Sequence, residues 1–220
     1  MGAWQTSYEH KYHDLMGKTG FSLEQIKNLH NRFEHLSENK ETISREKLDK
    51  IPALAYNPIR TQIIEAFFDK RNQHENEVGS YEEIGFEQFV MVMSHFRPPA
   101  SNMTEGEKET VRKEKLRFLF NMHDTDNDGT ITLEEYRKVV EELLSKSEVI
   151  GQEAAKDIAD AAMLEVANTN VPEMGSDEIY GGITFEHFEQ MLKGLEMESR
   201  MYIRFLDVNT TPIRCVKSTC

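Results

Sequence analysis

The chain of 220 residues is 38% hydrophobic and 30% charged, which suits a soluble globular protein or two small lobes with ordinary cores. Its formal net charge of -13 makes nucleic acid an unfavourable partner and favours cations or basic protein segments. The cysteines, Cys215 and Cys220, lie at the end of the chain, so we expect no disulfide framework and a reducing compartment. With no apolar run of bilayer length and no signal core, we expect neither an integral membrane protein nor a secreted one.

The first six residues are Met-Gly-Ala-Trp-Gln-Thr, which fits the M-G-x-x-x-[ST] pattern for N-myristoylation. Removal of Met1 would expose Gly2 for acylation, and Thr6 supplies the small hydroxyl side chain that the pattern requires. The alternative is an unmodified tail that begins with Met-Gly by chance. We interpret residues 1–19 as a myristoylated N-terminal segment with Gly2 as the lipidation site.

Four helix-loop-helix units follow in chain order. Each has an apolar run at helical spacing, a polar stretch, an isoleucine and a second helix that opens with acidic residues. The isoleucines recur about every 40 to 50 residues, as in tandem EF-hands, whose paired loops form a short antiparallel β-bridge. They are Ile43, Ile84, Ile131 and Ile183. The pattern predicts an all-α fold, a two-lobed array of four EF-hand units with short β-bridges between paired loops.

Capping and breaking signals set the boundaries of these units. Ser22 is a candidate N-cap for a helix with apolar residues Ile26, Leu29 and Phe33, and Leu48 lies in the return helix. The later helices are predicted at 59–68, 86–96, 111–122, 133–144, 154–167 and 185–195. The predicted domains are a first lobe with two degenerate hands at 20–97, a linker at 98–110, a second lobe with one intact hand (111–146) and one degenerate hand at 111–206, and a tail at 207–220.

The segment 124–135 matches the twelve-residue EF-hand calcium loop at every demanding position. Calcium prefers oxygen ligands, and the pattern supplies carboxylates at positions 1, 3 and 5, a carbonyl at position 7 and a bidentate glutamate at position 12. Gly129 permits the sharp turn at position 6. A plain acidic helix start would not require this spacing or this glycine. We predict one Ca²⁺ with Mg²⁺ as a competitor, and the predicted ligands are Asp124, Asp126, Asp128, Thr130 and Glu135.

The other three loops have lost this set of ligands. When they are aligned on their isoleucines, position 12 is Lys47 in the first, Gln88 in the second and His187 in the fourth. The fourth loop also has Ser176 at position 1. We predict that these loops are structural and support their paired loops, with weak binding by the fourth left open.

The order of three degenerate hands and one intact third hand, together with several short segments, resembles the calcineurin B homologous proteins over nearly the whole chain. Other members of that family keep both C-terminal loops intact, and this chain departs from them at Ser176 and His187. The segments are Asn-Pro-Ile (57–59), Ala-Phe-Phe (66–68), His-Phe-Arg-Pro (95–98), Arg-Lys-Glu-Lys-Leu-Arg-Phe-Leu-Phe (112–120) and Arg-Phe-Leu (204–206).

The resemblance implies a myristoylated calcium-binding cofactor of a plasma-membrane sodium/proton exchanger, which binds the cytosolic juxtamembrane helix of the exchanger and supports its maturation, surface stability and activity. It also implies inhibition of calcineurin through its catalytic subunit, in competition with calcineurin B. The metal ligands that it implies are the five residues given above, and the acyl site is Gly2. The expected locations are the cytoplasm, the plasma-membrane surface through the lipid anchor, and the nucleus.

Apolar residues on the exit helices of the hands and beyond the fourth hand are candidates for a groove that binds a partner helix. The alternative for each is core packing. The chain has neither a glycine-rich phosphate loop nor a nucleophile elbow, so we expect a binding protein and no enzyme. A calcium buffer or a general EF-hand adaptor is the second interpretation. The groove candidates are Phe89, Met93, Val140, Leu144, Phe188, Leu192, Met201 and Phe205.

Overall fold

The structure is a computed structural model, and it describes residues 2–73, 78–100, 102–144, 152–170, 182–196 and 201. It is mostly helical, as predicted, with two small antiparallel strand pairs and a 3-10 helix at Lys70–Gln73. The helices are α1 (Gly2–Thr19), α2 (Leu23–Ser37), α3 (Arg45–Asp49), α4 (Pro52–Ala55), α5 (Arg60–Phe68), α6 (Phe86–Ser94), α7 (Glu105–His123), α8 (Leu133–Leu144), α9 (Gln152–Asn170) and α10 (Phe185–Met191). The strands are β1 (Thr42–Ser44), β2 (Glu83–Gly85), β3 (Thr130–Ile131) and β4 (Ile183–Thr184).

The strand pairs lie at the predicted isoleucines. In the first pair Ile43 is opposite Ile84, and in the second Ile131 is opposite Ile183. All of these side chains are buried. The sequence prediction that loops pair as first with second and third with fourth is therefore confirmed.

A capping box starts α2 at the predicted place. The backbone N–H of Gln25 donates to Ser22 Oγ at 3.2 Å, and the backbone N–H of Ser22 donates to Gln25 Oε1 at 3.0 Å. From this start the helix places Ile26, Leu29 and Phe33 on one face, and all three are buried in the core of the first lobe. The prediction for this helix is confirmed.

Helix α7 contributes side chains to the cores of both lobes. Phe118 and Met122 belong to the large apolar cluster of the first lobe, whereas Leu116 and Phe120 belong to a smaller cluster around β3 and β4. Each pair has the four-residue spacing that places two side chains on one helix face. Consequently α7 packs against both α5 and α10.

Some predicted helix boundaries were wrong. Helix α7 begins at Glu105, before the predicted 111, because a capping box joins Thr104 and Glu107. The predicted linker 98–110 therefore contains the first turns of α7. At the other end of that linker, α6 ends at Ser94 instead of 96, ahead of the two prolines after Arg97 that disfavour helix. Helix α10 also ends early, at Met191.

The predicted N-terminal segment forms helix α1, which packs against α2 and α6. Leu15 is buried, and the hydroxyl of Tyr12 lies 3.0 Å from Nδ1 of His30. Near the end of the helix, Lys18 Nζ donates to Glu87 Oε1 at 2.8 Å. Among the described residues, no helix has the length and apolar character needed to cross a bilayer.

Candidate metal centre

The loop 124–135 connects α7 to α8, and two residues in it adopt positive φ angles. Asn127 has φ 64° and Gly129 has φ 88°. A Cβ added to Gly129 would meet no heavy atom within 4 Å, so the glycine is needed for its backbone conformation and not for space. The prediction of a sharp turn at this glycine is consistent with these angles.

The three aspartates of the loop come together. One carboxylate oxygen from each of Asp124, Asp126 and Asp128 lies within 4.8 Å of the others. The backbone N–H of Asp128 donates to Oδ1 of Asp124 and to Oδ1 of Asp126, at 3.1 Å in both cases. Thr130 donates to Asp128 Oδ1 from both its backbone N–H and its hydroxyl, at 2.7 Å each. This donor set of hard, charged oxygens fits a calcium ion.

Glu135 closes the loop through hydrogen bonds to its other residues. Its Oε1 accepts from the backbone N–H and the hydroxyl of Thr125 at 2.6 and 2.7 Å, and its Oε2 accepts from the same groups of Thr132 at 3.0 Å. Burial acts to raise the pKa of Glu135, but these donors favour the anion and place the pKa below its ordinary value. The carboxylate is therefore ionised at neutral pH, as a calcium ligand must be.

Asp124 is the most buried carboxylate of the loop, with 2% of its surface exposed. Burial raises its pKa above the ordinary value, and the guanidinium of Arg71 opposes that shift. Arg71 Nη1 donates to Asp124 Oδ2 at 2.8 Å. Sequence reasoning missed Arg71, since a cation in a polar insertion does not indicate which carboxylate it will meet in the fold.

Comparison with known proteins agrees with this geometry. A family model described as the EF hand domain matches residues 115–143. Calcineurin B homologous protein 3 from Xenopus tropicalis is 53% identical over 198 residues, which are 90% of this chain and 92% of that protein. The Homo sapiens protein of the same name is 49% identical over 210 residues, which are 96% of this chain and 98% of that protein. The chain belongs to the calcineurin B homologous protein family. It is thus a calcium-binding EF-hand regulator of that type.

The degenerate first hand of this family member contains an ion pair inside its loop. Lys47, which occupies the place of the bidentate glutamate, pairs with Glu38. The hydrogen bond from Lys47 lowers the pKa of Glu38. A side-chain cation therefore lies beside the acidic group of a loop that lacks a metal-ligand set. In the fourth loop, Ser176 lies outside the described residues, and the backbone N–H of His187 donates to Thr184 Oγ1 at 3.3 Å.

The groove candidates do not form one open surface. Phe89 and Met93 have no exposed surface and belong to the first-lobe core, where Phe89 contacts the rings of Phe33 and Phe67. Helical spacing does not distinguish a core face from a groove face, so the groove assignment of Phe89 and Met93 is corrected to core for this conformation. Val140 and Met201 are also buried, Leu144 is half-buried, Phe188 and Leu192 are half-buried against the second cluster, and Phe205 lies outside the described residues.

Proposed function

We propose that this protein is a calcium-binding, N-myristoylated cofactor that binds the juxtamembrane helix of a plasma-membrane sodium/proton exchanger. In this role it supports the maturation, surface stability and activity of the exchanger, and so cell pH regulation. The observation that carries the proposal is an intact calcium loop with gathered carboxylates in a member of this family. Inhibition of calcineurin, by competition for its catalytic subunit, is a second proposed role, motivated by the family relation to calcineurin B.

One calcium ion would be held by the third loop alone. The side chains of Asp124, Asp126 and Asp128 would each supply an oxygen, Thr130 its backbone carbonyl, and Glu135 both carboxylate oxygens after exchange of their present donors. The charge of these carboxylates also suits Mg²⁺, which we propose as a weaker competitor. Because its fourth loop carries Ser176 and His187 at ligand positions, we propose that the chain is a tescalcin-type member of the family.

The second lobe offers apolar surface for a partner helix. Phe188 and Leu192 are half-buried beside the second cluster, and four other apolar side chains of this lobe are exposed, on α8, on α9, at the end of α10 and just after it. An amphipathic helix with basic residues would bury its apolar face there, while the acidic body of net charge -13 meets its cations. The exposed apolar residues are Leu143, Ile158, Met191 and Leu195.

Acylation of Gly2 would add a second weak attachment to the membrane that contains the exchanger. A single myristoyl chain binds a bilayer only marginally and reversibly, so a protein partner in the same membrane raises the effective concentration of the cofactor. We propose a distribution between the cytoplasm and the plasma-membrane surface, with the nucleus as a further location.

The decisive experiment is exchanger activity, measured as recovery of intracellular pH after an acid load in cells with and without the protein. We expect slower recovery and less exchanger at the surface when the protein is absent. Unchanged recovery, together with no binding to the isolated juxtamembrane peptide, would contradict the exchanger role and leave calcineurin inhibition as the main proposal.

A calcium buffer is the competing function. A buffer binds calcium without opening an apolar surface, so an apolar dye would show almost no change in fluorescence on addition of calcium. The cofactor we propose should show an increase, because calcium-loaded regulatory EF-hands expose a groove.

A further inference from the structure

Arg71 lies in the 3-10 helix Lys70–Gln73, which follows α5 in the degenerate second hand and contacts α7. Only 16% of its side chain is exposed, and the guanidinium lies between two carboxylates that are themselves mostly buried. The side chain of Asp69 is 15% exposed and that of Asp124 is 3% exposed. A cation from a hand without a metal site therefore meets the first ligand of the hand that has one.

The guanidinium bonds to both the side chain and the backbone at the start of the calcium loop. Nη1 donates to Asp124 Oδ2 at 2.8 Å, while Nη2 donates to the carbonyls of Asp124 and Asn121 at 2.9 and 3.0 Å. These carbonyls belong to the last turn of α7 and its C-cap, where cations are favourable. Oδ1 of Asp124 is turned to the loop, where it accepts from the backbone of Asp128.

The opposite side of Arg71 is fixed by the first lobe. Nε and Nη2 donate to the carboxylate of Asp69 at 2.8 to 3.2 Å, and the neighbouring Asn72 is buried. Asn72 donates to the carbonyl of Ala66 and accepts from Asn121 of α7, each at 3.0 Å. The turn that carries Arg71 is thus hydrogen-bonded to both α5 and α7, and the arginine is held in one orientation.

We propose that Arg71 is a positioning residue for the calcium site. It orients Asp124 so that Oδ1 is available to the ion while Oδ2 stays on the guanidinium, and it links occupation of the third loop to the contact between the second hand and α7. Hydrogen bonds to ligand carboxylates set their orientation, and loss of such a bond costs about 10- to 100-fold in metal affinity. Asp69 neutralises much of the arginine charge, so Arg71 orients the ligand with little repulsion of the cation.

Calcium titration calorimetry of full-length Arg71→Ala tests the proposal. We expect a fall in affinity of about 10- to 100-fold relative to the wild type. The matched control is Arg45→Ala, because Arg45 bonds to Glu65 and to the carbonyl of Tyr81 in the same lobe but does not touch the calcium loop. Its affinity should stay within about twofold of the wild type. Unchanged or tighter binding by Arg71→Ala would overturn the proposal.

A second comparison separates positioning from a general structural role. In an Asp124→Asn background the side-chain oxygen can still accept from Arg71, but the charge-assisted bond is gone, so adding Arg71→Ala should lower affinity clearly less than it does in the wild type. An equal loss in both backgrounds would show that Arg71 only supports the fold. If Arg71→Ala is unfolded in circular dichroism, Arg71→Lys replaces it, since lysine keeps the charge but lacks the planar fork. That variant should show an intermediate affinity, and wild-type affinity would overturn the proposal.

The inference rests on calcium binding and not on the exchanger helix. If the protein does not bind the exchanger peptide but Arg71→Ala still lowers calcium affinity, only the proposed partner is contradicted. Absence of calcium binding by the wild type would overturn both the calcium site of the proposed function and this inference.

Discussion

Position 12 of the EF-hand loop carries Glu135 in the third hand and Lys47 in the first, and the two side chains bond differently. Glu135 accepts hydrogen bonds from Thr125 and Thr132, across its own loop. Lys47 instead pairs with the acidic side chain of Glu38. At the scale of single residues, the first hand has exchanged a carboxylate ligand for an internal ion pair.

We expect titration calorimetry to show one tight calcium site, and Glu135→Gln to weaken it by more than about 100-fold. This substitution removes a charged ligand oxygen, whereas changes outside the ligand shell already cost about 10- to 100-fold. Glu134→Gln is the control, because the side chain of Glu134 is 87% exposed and is not a predicted ligand. Two comparable sites in the wild type, or normal binding by Glu135→Gln, would contradict the one-site assignment.

At the scale of elements, the sequence predicted what depends on local pattern. The isoleucine pairs, the N-cap of α2 and the span of α8 follow from periodicity and capping, which neighbouring residues determine. The early start of α7 also follows from a local signal, because Thr104 and Glu107 form the T-x-x-E capping pattern. Arg71 was beyond sequence reasoning, because its bond to Asp124 depends on how α5 packs against α7.

Phe89 and Met93 show a second limit of prediction from sequence, because both were predicted to line a groove and both lie in the core. Both lie on the apolar face of α6, and periodicity identifies that face without saying what covers it. In the structure the aromatic rings of α2 and α5 cover Phe89, so the face is core. The periodicity of a helix predicts which of its residues are buried. Tertiary packing determines whether those residues contact the core of the same protein or a partner.

Helices α8 and α9 are joined by a bidentate ion pair, which predicts a pH-dependent stability. Arg137 Nε and Nη2 donate to the two oxygens of Asp160 at 2.6 and 2.7 Å, and these bonds lower the pKa of Asp160. Because the pKa of Asp160 is lower in the folded state, its ionisation stabilises the fold at pH values above the unfolded-state pKa of about 3.9. This contribution to the free energy of unfolding is lost as the pH falls through the folded-state pKa. Asp160→Asn should therefore lower the melting temperature at pH 7. The difference in melting temperature between this variant and the wild type should become smaller as the pH falls toward 3.

Differential scanning calorimetry over this pH range measures the effect, with the exposed Asp157→Asn on the same helix as control. A difference between Asp160→Asn and wild type that stays constant from pH 7 to pH 3 would show that ionisation of Asp160 does not stabilise the contact.

At the scale of the whole molecule, the shared helix α7 predicts that both lobes respond together to calcium. Ligand binding to the folded state adds about 2.7 kcal/mol when free calcium is about 100 times its Kd. Because Phe118 packs in one cluster and Phe120 in the other, this energy should stabilise both cores. Removal of calcium with a chelator should lower the melting temperature in one cooperative transition. Separate transitions, of which only one moves, would contradict this coupling.

The acidic body and the N-terminal pattern predict partial membrane association. Anionic lipid repels a protein of net charge -13, and one acyl chain provides only marginal binding. Gly2→Ala should therefore shift the protein toward the soluble fraction of cell extracts. The exposed-surface variant Lys40→Ala, which leaves the N-terminus intact, serves as the control. Identical fractionation of wild type and Gly2→Ala would exclude a lipid anchor at Gly2 as the cause of association.

Helix α1 gives any such anchor a fixed reach and direction. At 1.5 Å per residue its 18 residues span about 27 Å, and its far end is attached to the body by Lys18 and by the bond from Arg97 Nη1 to the carbonyl of Thr19 at 3.1 Å. A flexible leader would let the protein rotate freely on its lipid. A helical arm would instead restrict which side of the molecule faces the bilayer, so that the anchor selects an orientation as well as a location.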